Sequence, residues 1–295
     1  MADMGAKLAI TRRHPLIGTE VRGIDLTKPL DRDGLDRLNS IWMEHPMLVF
    51  PNQKITDEQQ IVFARNFGEL EVHPSVAHRS SKNPEVYRVS NVDEQGNILP
   101  SESKEWQYLE LTWLWHTDSS FREIPSMGSI LHGIEVPKDG GDTLFANMYA
   151  AYEALSDGTK AEIEGLTVRH SHDAVIARSA KLSARQDKGT YTELPPVEQP
   201  LVRRHPVTGR RSLFLSPHTM DGIVGMPNDK GFALLDDLTK HATHERFVYR
   251  HSWHQDDVIM WDNRCTMHAV MPYDSANQRR IMHRTTIVGD ERPSL

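Results

Sequence analysis

Cysteine and long apolar runs are both scarce in this chain, and each scarcity narrows what it can be. Cys265 is the only cysteine among 295 residues, which excludes an intrachain disulfide and any multi-thiolate zinc site within one chain. A bound metal would have to be held by His, Asp and Glu. No run of about 18 apolar residues occurs, and the opening MADMGAKLAITRRH lacks the apolar core of a signal peptide. No membrane span is expected, and the expected location is cytoplasmic. Lys and Arg number 34 against 41 Asp and Glu, a formal net charge of −7, which argues against a nucleic-acid partner because duplex binders carry a clustered basic face. Low-complexity tracts, Gly/Ser-rich linkers and internal repeats are missing too, so nothing in the composition divides the chain.

What is present reads as one domain over residues 1–295 with insertions near 77–112 and 171–199. Those two segments have weak periodicity, as lids, binding loops or plain surface insertions do. Three helices stand out. Leu35, Leu38 and Trp42 recur at helical spacing after DRDG. Thr56 and Gln59 form a capping box ahead of Ile61, Ala64 and Phe67, with Gly68 as a stop. A third helix is expected from about Asp229 to His241, with Phe232, Leu235 and Leu238 on one face. Short strands dominate elsewhere: 47–50, 129–136, 142–148, 247–253, 257–262 and 280–288, with a hairpin around PVTG. The fold class is therefore mainly β with flanking helices, in a two-sheet jelly roll.

The chemistry concentrates in four motifs. WHTDSSF, residues 115–121, sets His116 and Asp118 two apart, the spacing that places side chains on one side of an extended strand. A His-x-Asp pair is weak by itself in a chain with 16 histidines, but WDNRCTMH delivers a second imidazole, His268, from the end of an apolar strand. Two imidazoles and a carboxylate suit a six-coordinate ferrous ion with three open positions, and zinc accepts the same donors. GGDTLF places Thr143 after a glycine turn. QRRIMHRTTIVGD puts Arg280 and Arg284 four apart on one strand face, where guanidinium forks can grip two anions. A zinc hydrolase is disfavoured because HExxH and an evident general base are missing. His170 and His172 read as ordinary polar residues, and Cys265 as a packed thiol.

In that order, and together with IGTEVRGIDLTKPL and LVFPNQKITDEQQIVFARNFGEL, these motifs resemble the taurine/2,4-dichlorophenoxyacetate dioxygenase family of iron(II)- and 2-oxoglutarate-dependent oxygenases. The resemblance implies a cupin-like double-stranded β-helix with the metal at its open end. It implies His116, Asp118 and His268 as catalytic iron(II) ligands, Thr143 and Arg280 on the distal carboxylate of 2-oxoglutarate, and Arg284 and His73 on the substrate's acidic group. Consumption of 2-oxoglutarate and O2 would give succinate, CO2 and a hydroxylated product. Asp118 stands where related halogenating enzymes carry a small residue, so hydroxylation is expected.

The expected substrate is a small organic anion. HATHERFVYRHSWHQDDVIMWDNRC and PLVRRHP look closer to phenoxyacetate-type enzymes, while the HP after GELEV looks closer to taurine enzymes. LTWLW precedes His116 where taurine enzymes carry an asparagine. Trp113 and Leu114 would make that wall apolar and suited to an aromatic group. An aryloxyalkanoate, hydroxylated next to its ether oxygen, is the leading expectation. A sulfonate or alkyl sulfate releasing sulfite or sulfate is the second, and a non-catalytic 2-oxoglutarate- or metal-binding module is the alternative of another class. A homo-oligomer, dimer or tetramer, is what the resemblance implies.

Overall fold

The computed structural model describes residues 8–73, 78–178 and 195–295. Fifteen strands are found among them: β1 (Ala9–Arg12), β2 (Thr19–Arg22), β3 (Met47–Phe50), β4 (Tyr87–Ser90), β5 (Gly128–Glu135), β6 (Thr143–Asn147), β7 (Thr167–His170), β8 (Val197–Pro200), β9 (Val202–Arg204), β10 (Arg211–Leu213), β11 (Met220–Ile223), β12 (Val248–His251), β13 (Val258–Asp262), β14 (Thr266–Val270) and β15 (Ile281–Ile287). A seven-stranded sheet runs β1-β2-β3-β13-β5-β15-β4, and a smaller sheet runs β12-β6-β14. Two further small sheets, β11-β7-β8 and β10-β9, complete the strands. The result is the expected jelly roll.

Strand β13 shows why its sequence, VIMWD, is almost uniformly apolar. Successive side chains of a strand point to opposite faces. Val258 and Met260 join one buried cluster with Leu38, Trp42, Phe63 and Ile130, whereas Ile259 and Trp261 join another with Leu131, Phe145 and Met282. The first cluster lies between the large sheet and helices α1 (Arg32–Glu44) and α2 (Asp57–Ala64). The second fills the space between the two main sheets. A third, containing Ala146, Met267, Leu235 and Leu238, packs behind the small sheet. Strands buried on both faces lose the polar alternation of a half-exposed sheet.

The helices form for local reasons. Asp31 accepts from the Gly34 N–H to cap α1, and Thr56 and Gln59 make both hydrogen bonds of the expected capping box on α2. That helix stops at Ala64, with the Arg65 N–H on Ile61 O, so Phe67 lies beyond it rather than within it. The third expected helix spans Asn228–Ala242, and its buried face is Gly231, Leu235, Leu238 and Ala242, with Phe232 only half-buried. The hairpin around PVTG is present as β9 and β10.

The segment 77–112 is more regular than its sequence suggests. β4 pairs with β15 at the sheet edge, and Ser103 caps a helix, α3 (Lys104–Glu110), by accepting from the Trp106 N–H. In the other segment, His172–Arg178 is helical and β8 pairs with β7. Residues 179–194, which include most of KLSARQDKGTYTELPP, lie outside the described residues. Val175 reaches across to Tyr108 and Leu111, so the two segments share a small apolar cluster.

Candidate metal centre and its flanking arginines

Backbone pairing brings the two histidines together. His116 extends the edge of β14: its N–H donates to His268 O at 2.9 Å, and the His268 N–H returns the bond to His116 O at 2.8 Å. Residues paired in this way point their side chains to the same face, and the two imidazole rings lie 4.1 Å apart. Asp118 follows two positions on. Ser119, in a left-handed conformation (φ 53°), then turns the chain away. Asp118 Oδ1 sits 4.0 Å from His116 Nε2 and 3.9 Å from His268 Nε2. Sequence separation hides this triad; strand pairing makes it.

The donor set fits a divalent cation. Burial pushes the His116 pKa down, against the opposing pull of Asp118, and pushes that of His268 well below the usual range, helped by His116. Both imidazoles are thus neutral and able to donate a lone pair at neutral pH. His116 Nδ1 lies 2.8 Å from Leu114 O, which fixes the tautomer with Nε2 as the free acceptor. Burial opposes ionisation of Asp118, yet the Arg284 guanidinium holds its carboxyl well below the ordinary carboxylate range. The arrangement offers two nitrogens and one oxygen on one side of a point, the donor pattern that leaves several coordination positions open.

A second group, His205, Asp262 and Cys265, has donor atoms equally close together. Its atoms are already committed. His205 Nδ1 accepts from the Val207 and Thr208 N–H groups, so Nε2 carries the proton and donates to Asp262 Oδ2 at 3.0 Å. Arg264 occupies both oxygens of Asp262, at 2.9 and 2.8 Å. Burial also pushes the Cys265 thiol well above its usual pKa. This is an ion-paired lock beneath the turn from β13 to β14, and Cys265 is a packed thiol.

The two arginines differ in their surroundings. Arg280 is buried, and its Nε donates to Gly141 O at 3.1 Å and its Nη2 to Thr143 Oγ1 at 3.4 Å. It has no carboxylate in salt-bridge range among the described residues, and burial lowers its pKa to about 10. Thr143 Oγ1 also accepts from Trp253 Nε1 at 3.0 Å, and neither contact uses the hydroxyl's own proton. Gly141 permits this approach: its φ is +69°, and a Cβ there would lie 2.7 Å from Pro137 Cγ and 3.3 Å from Arg280 Cδ. Arg284 instead donates through Nη1 to Asp118 Oδ1 at 2.5 Å. Its guanidinium lies 4.8 Å from the centre of the Tyr87 ring, and its buried Nε has no partner among the described residues.

The remaining expected site residues fall on either side of this pair. His73 is half-buried with its ring 4.2 Å from that of Tyr87, and burial first, then Arg284, keep its imidazole well below the usual pKa. Trp113 lies at the other end, packed edge-on against Trp106 and lining a small cavity with Tyr273 and Arg280. Leu114 is exposed, so it does not extend an apolar wall. Tyr87, Ser129 and Asn263 were not foreseen from the sequence. WDNR carried a signal for Asn263, but Tyr87 and Ser129 sit in strands with nothing to mark them.

Residues 9–286 match the family described as taurine catabolism dioxygenase TauD, TfdA family. Over 277 residues the chain is 38% identical to an alpha-ketoglutarate-dependent 2,4-dichlorophenoxyacetate dioxygenase of Cupriavidus pinatubonensis, covering 93% of this chain and 96% of that protein. It is 35% identical over 279 residues to an (S)-phenoxypropionate/alpha-ketoglutarate-dioxygenase of Sphingobium herbicidovorans, with 92% of each covered. The crystal structure of AAD-2 in complex with Mn(II) and N-oxalylglycine is similar with a TM-score of 0.87 and 40% identity, covering 97% of this chain and all (100%) of that one. No helix among the described residues is long and apolar enough to cross a membrane.

Proposed function

The chain belongs to the taurine catabolism dioxygenase TauD, TfdA family, and from that premise we propose that its substrate is an aryloxyalkanoate, hydroxylated at the carbon next to the ether oxygen. It is an oxidoreductase that uses iron(II), 2-oxoglutarate and O2. When bound, the iron and 2-oxoglutarate supply the oxygen activation that couples loss of CO2 to C–H hydroxylation. His116 Nε2, His268 Nε2 and Asp118 Oδ1 are the atoms that would hold the metal. Arg280 and Thr143 would hold the distal carboxylate of 2-oxoglutarate, the guanidinium through charge-assisted hydrogen bonds and the threonine through its uncommitted proton.

The observation that carries the substrate class is the setting of Arg284. A guanidinium lies over the Tyr87 ring, its Nε without a partner among the described residues, beside a neutral His73. The rings continue from Tyr87 to His78 and Tyr108 at centroid spacings of 5.6 and 5.4 Å. Such a site offers a cation to a carboxylate and aromatic faces to an aryl group. Trp113 adds an apolar wall on the Arg280 side. Overall, 2-oxoglutarate, O2 and the aryloxy acid give succinate, CO2 and a hemiacetal. The hemiacetal hydroxyl proton passes to the ether oxygen as the C–O bond breaks, leaving a phenol and an oxo acid. The expectation of a homo-oligomer rests on family membership alone, and that of a cytoplasmic location on the sequence's lack of long apolar runs.

The test is incubation of the purified protein with iron(II), 2-oxoglutarate and a panel of aryloxy acids, sulfonates and alkyl sulfates. Phenol release confined to the aryloxy acids is expected, whereas sulfite or sulfate release would overturn the substrate assignment. Asp118→Ala is expected to abolish succinate formation, and retained turnover would contradict the ligand assignment.

A further inference from the structure

Ser129, on β5, is fully buried and has none of the roles assigned above. Its Oγ lies 2.7 Å from Asp118 Oδ2 and 3.0 Å from Asn263 Nδ2, and Asn263 Oδ1 lies 2.8 Å from Trp261 Nε1. The far end fixes the direction of this chain of bonds. An indole nitrogen only donates, so the Asn263 atom facing it is the carbonyl oxygen, and the atom facing Ser129 is the amide NH2. Ser129 therefore accepts from Asn263, and its single proton goes to Asp118. All four side chains are buried, so water does not compete for these bonds.

We propose that Trp261, Asn263 and Ser129 form a one-way donor relay that positions Asp118, engaging Oδ2 from behind so that a metal is met through Oδ1, the oxygen that faces both imidazoles and also accepts from Arg284 Nη1. A carboxylate that chelated through both oxygens would occupy a coordination position that the co-substrate and O2 need. The Trp261 ring also packs 4.8 Å from the His268 ring, so one residue restrains two of the three donors. These are positioning residues: they act on Asp118 and His268 and touch no reactant.

The inference rests on the metal-centre reading, and Mn(II) binding to the full chain without 2-oxoglutarate separates the two. Failure of the unmodified protein to bind one Mn(II) per chain would sink the metal-centre reading itself. Given that binding, Ser129→Ala is expected to weaken Mn(II) affinity about tenfold, and Ser129→Thr, which keeps the hydroxyl, to recover it to within about threefold. Trp261→Phe keeps the ring against His268 and deletes only the first donor, so a smaller loss is expected. A folded Ser129→Ala protein that binds Mn(II) like the parent overturns the relay, as does a threonine variant no better than alanine. If Ser129→Ala does not fold, Trp261→Phe decides, and unchanged Mn(II) affinity there rejects the relay.

Discussion

Arg284 lies within β15, whereas Arg280, expected on the same strand face, lies just before it, ahead of a register shift between Ile281 and Met282; among the described residues only Arg284 has a carboxylate partner. Arg284 is tied to Asp118 Oδ1, and among the described residues the Arg280 side chain donates to a carbonyl and a hydroxyl oxygen. A buried guanidinium without a counter-charge is costly unless an anion arrives to meet it. The two should therefore fail differently. Hydrogen bonds to charged groups contribute about 1.5–3 kcal/mol, so Arg280→Ala is expected to raise the KM for 2-oxoglutarate roughly 10- to 100-fold. Arg284→Ala should do the same to the aryloxy acid and much less to 2-oxoglutarate. Steady-state kinetics with each substrate varied in turn checks this, and equal losses for both substrates in both variants would reject separate roles. Arg284→Ala has a second expected effect: Asp118 loses its nearest cation, so metal binding should become more sensitive to acid.

At the level of elements, the candidate metal centre depends on how closely β5 can approach its neighbours. Gly128 opens that strand, and a Cβ there would lie 2.7 Å from the Trp42 ring and 2.9 Å from Trp261 O. Gly128→Ala would force β5 off α1 or off β13, next door to Ser129. Overpacking of this kind typically costs about 1–3 kcal/mol, which thermal or urea unfolding would register, and a stability equal to the parent's would show that the contact can relax. Much at this scale was legible beforehand. The capping box at Thr56, the strand 47–50 and the helix ending near His241 carry their signals within a few neighbouring residues. The segment 77–112 was not, because β4 has four residues and α3 seven, too few for a period to emerge from the background. His116, Asp118 and His268 were legible as residue types in motifs. Their convergence, and the Ser129 contact, depend on strand pairing between distant parts of the chain, which spacing along the sequence does not encode.

For the whole molecule, folding buries histidines that water would otherwise keep titratable. Burial alone brings His170 down to about 3, stacked on Phe214 with Nδ1 against Thr219 Oγ1. Burial likewise brings His78 down to about 4, with the Glu105 carbonyl pulling slightly the other way. In the unfolded chain both groups titrate near 6.5. Between about pH 6.5 and 4 the unfolded chain therefore binds protons that the folded protein refuses, so stability must fall as pH falls through that window. Each such proton tilts the curve by about 1.4 kcal/mol per pH unit. Asp262 acts in a lower window. Burial opposes its charge, but Arg264 and His205 hold its carboxyl below the usual range, so its contribution is complete above about pH 4 and is lost only in stronger acid. The expected result is a urea midpoint that declines from pH 7 toward pH 4.5 before the carboxylates titrate, with a shallower decline in His170→Gln, which keeps a partner for Thr219. A midpoint that stays level until the carboxylates begin to protonate would mean that these imidazoles are hydrated in the folded protein, and that the layer behind the small sheet is looser than its packing indicates.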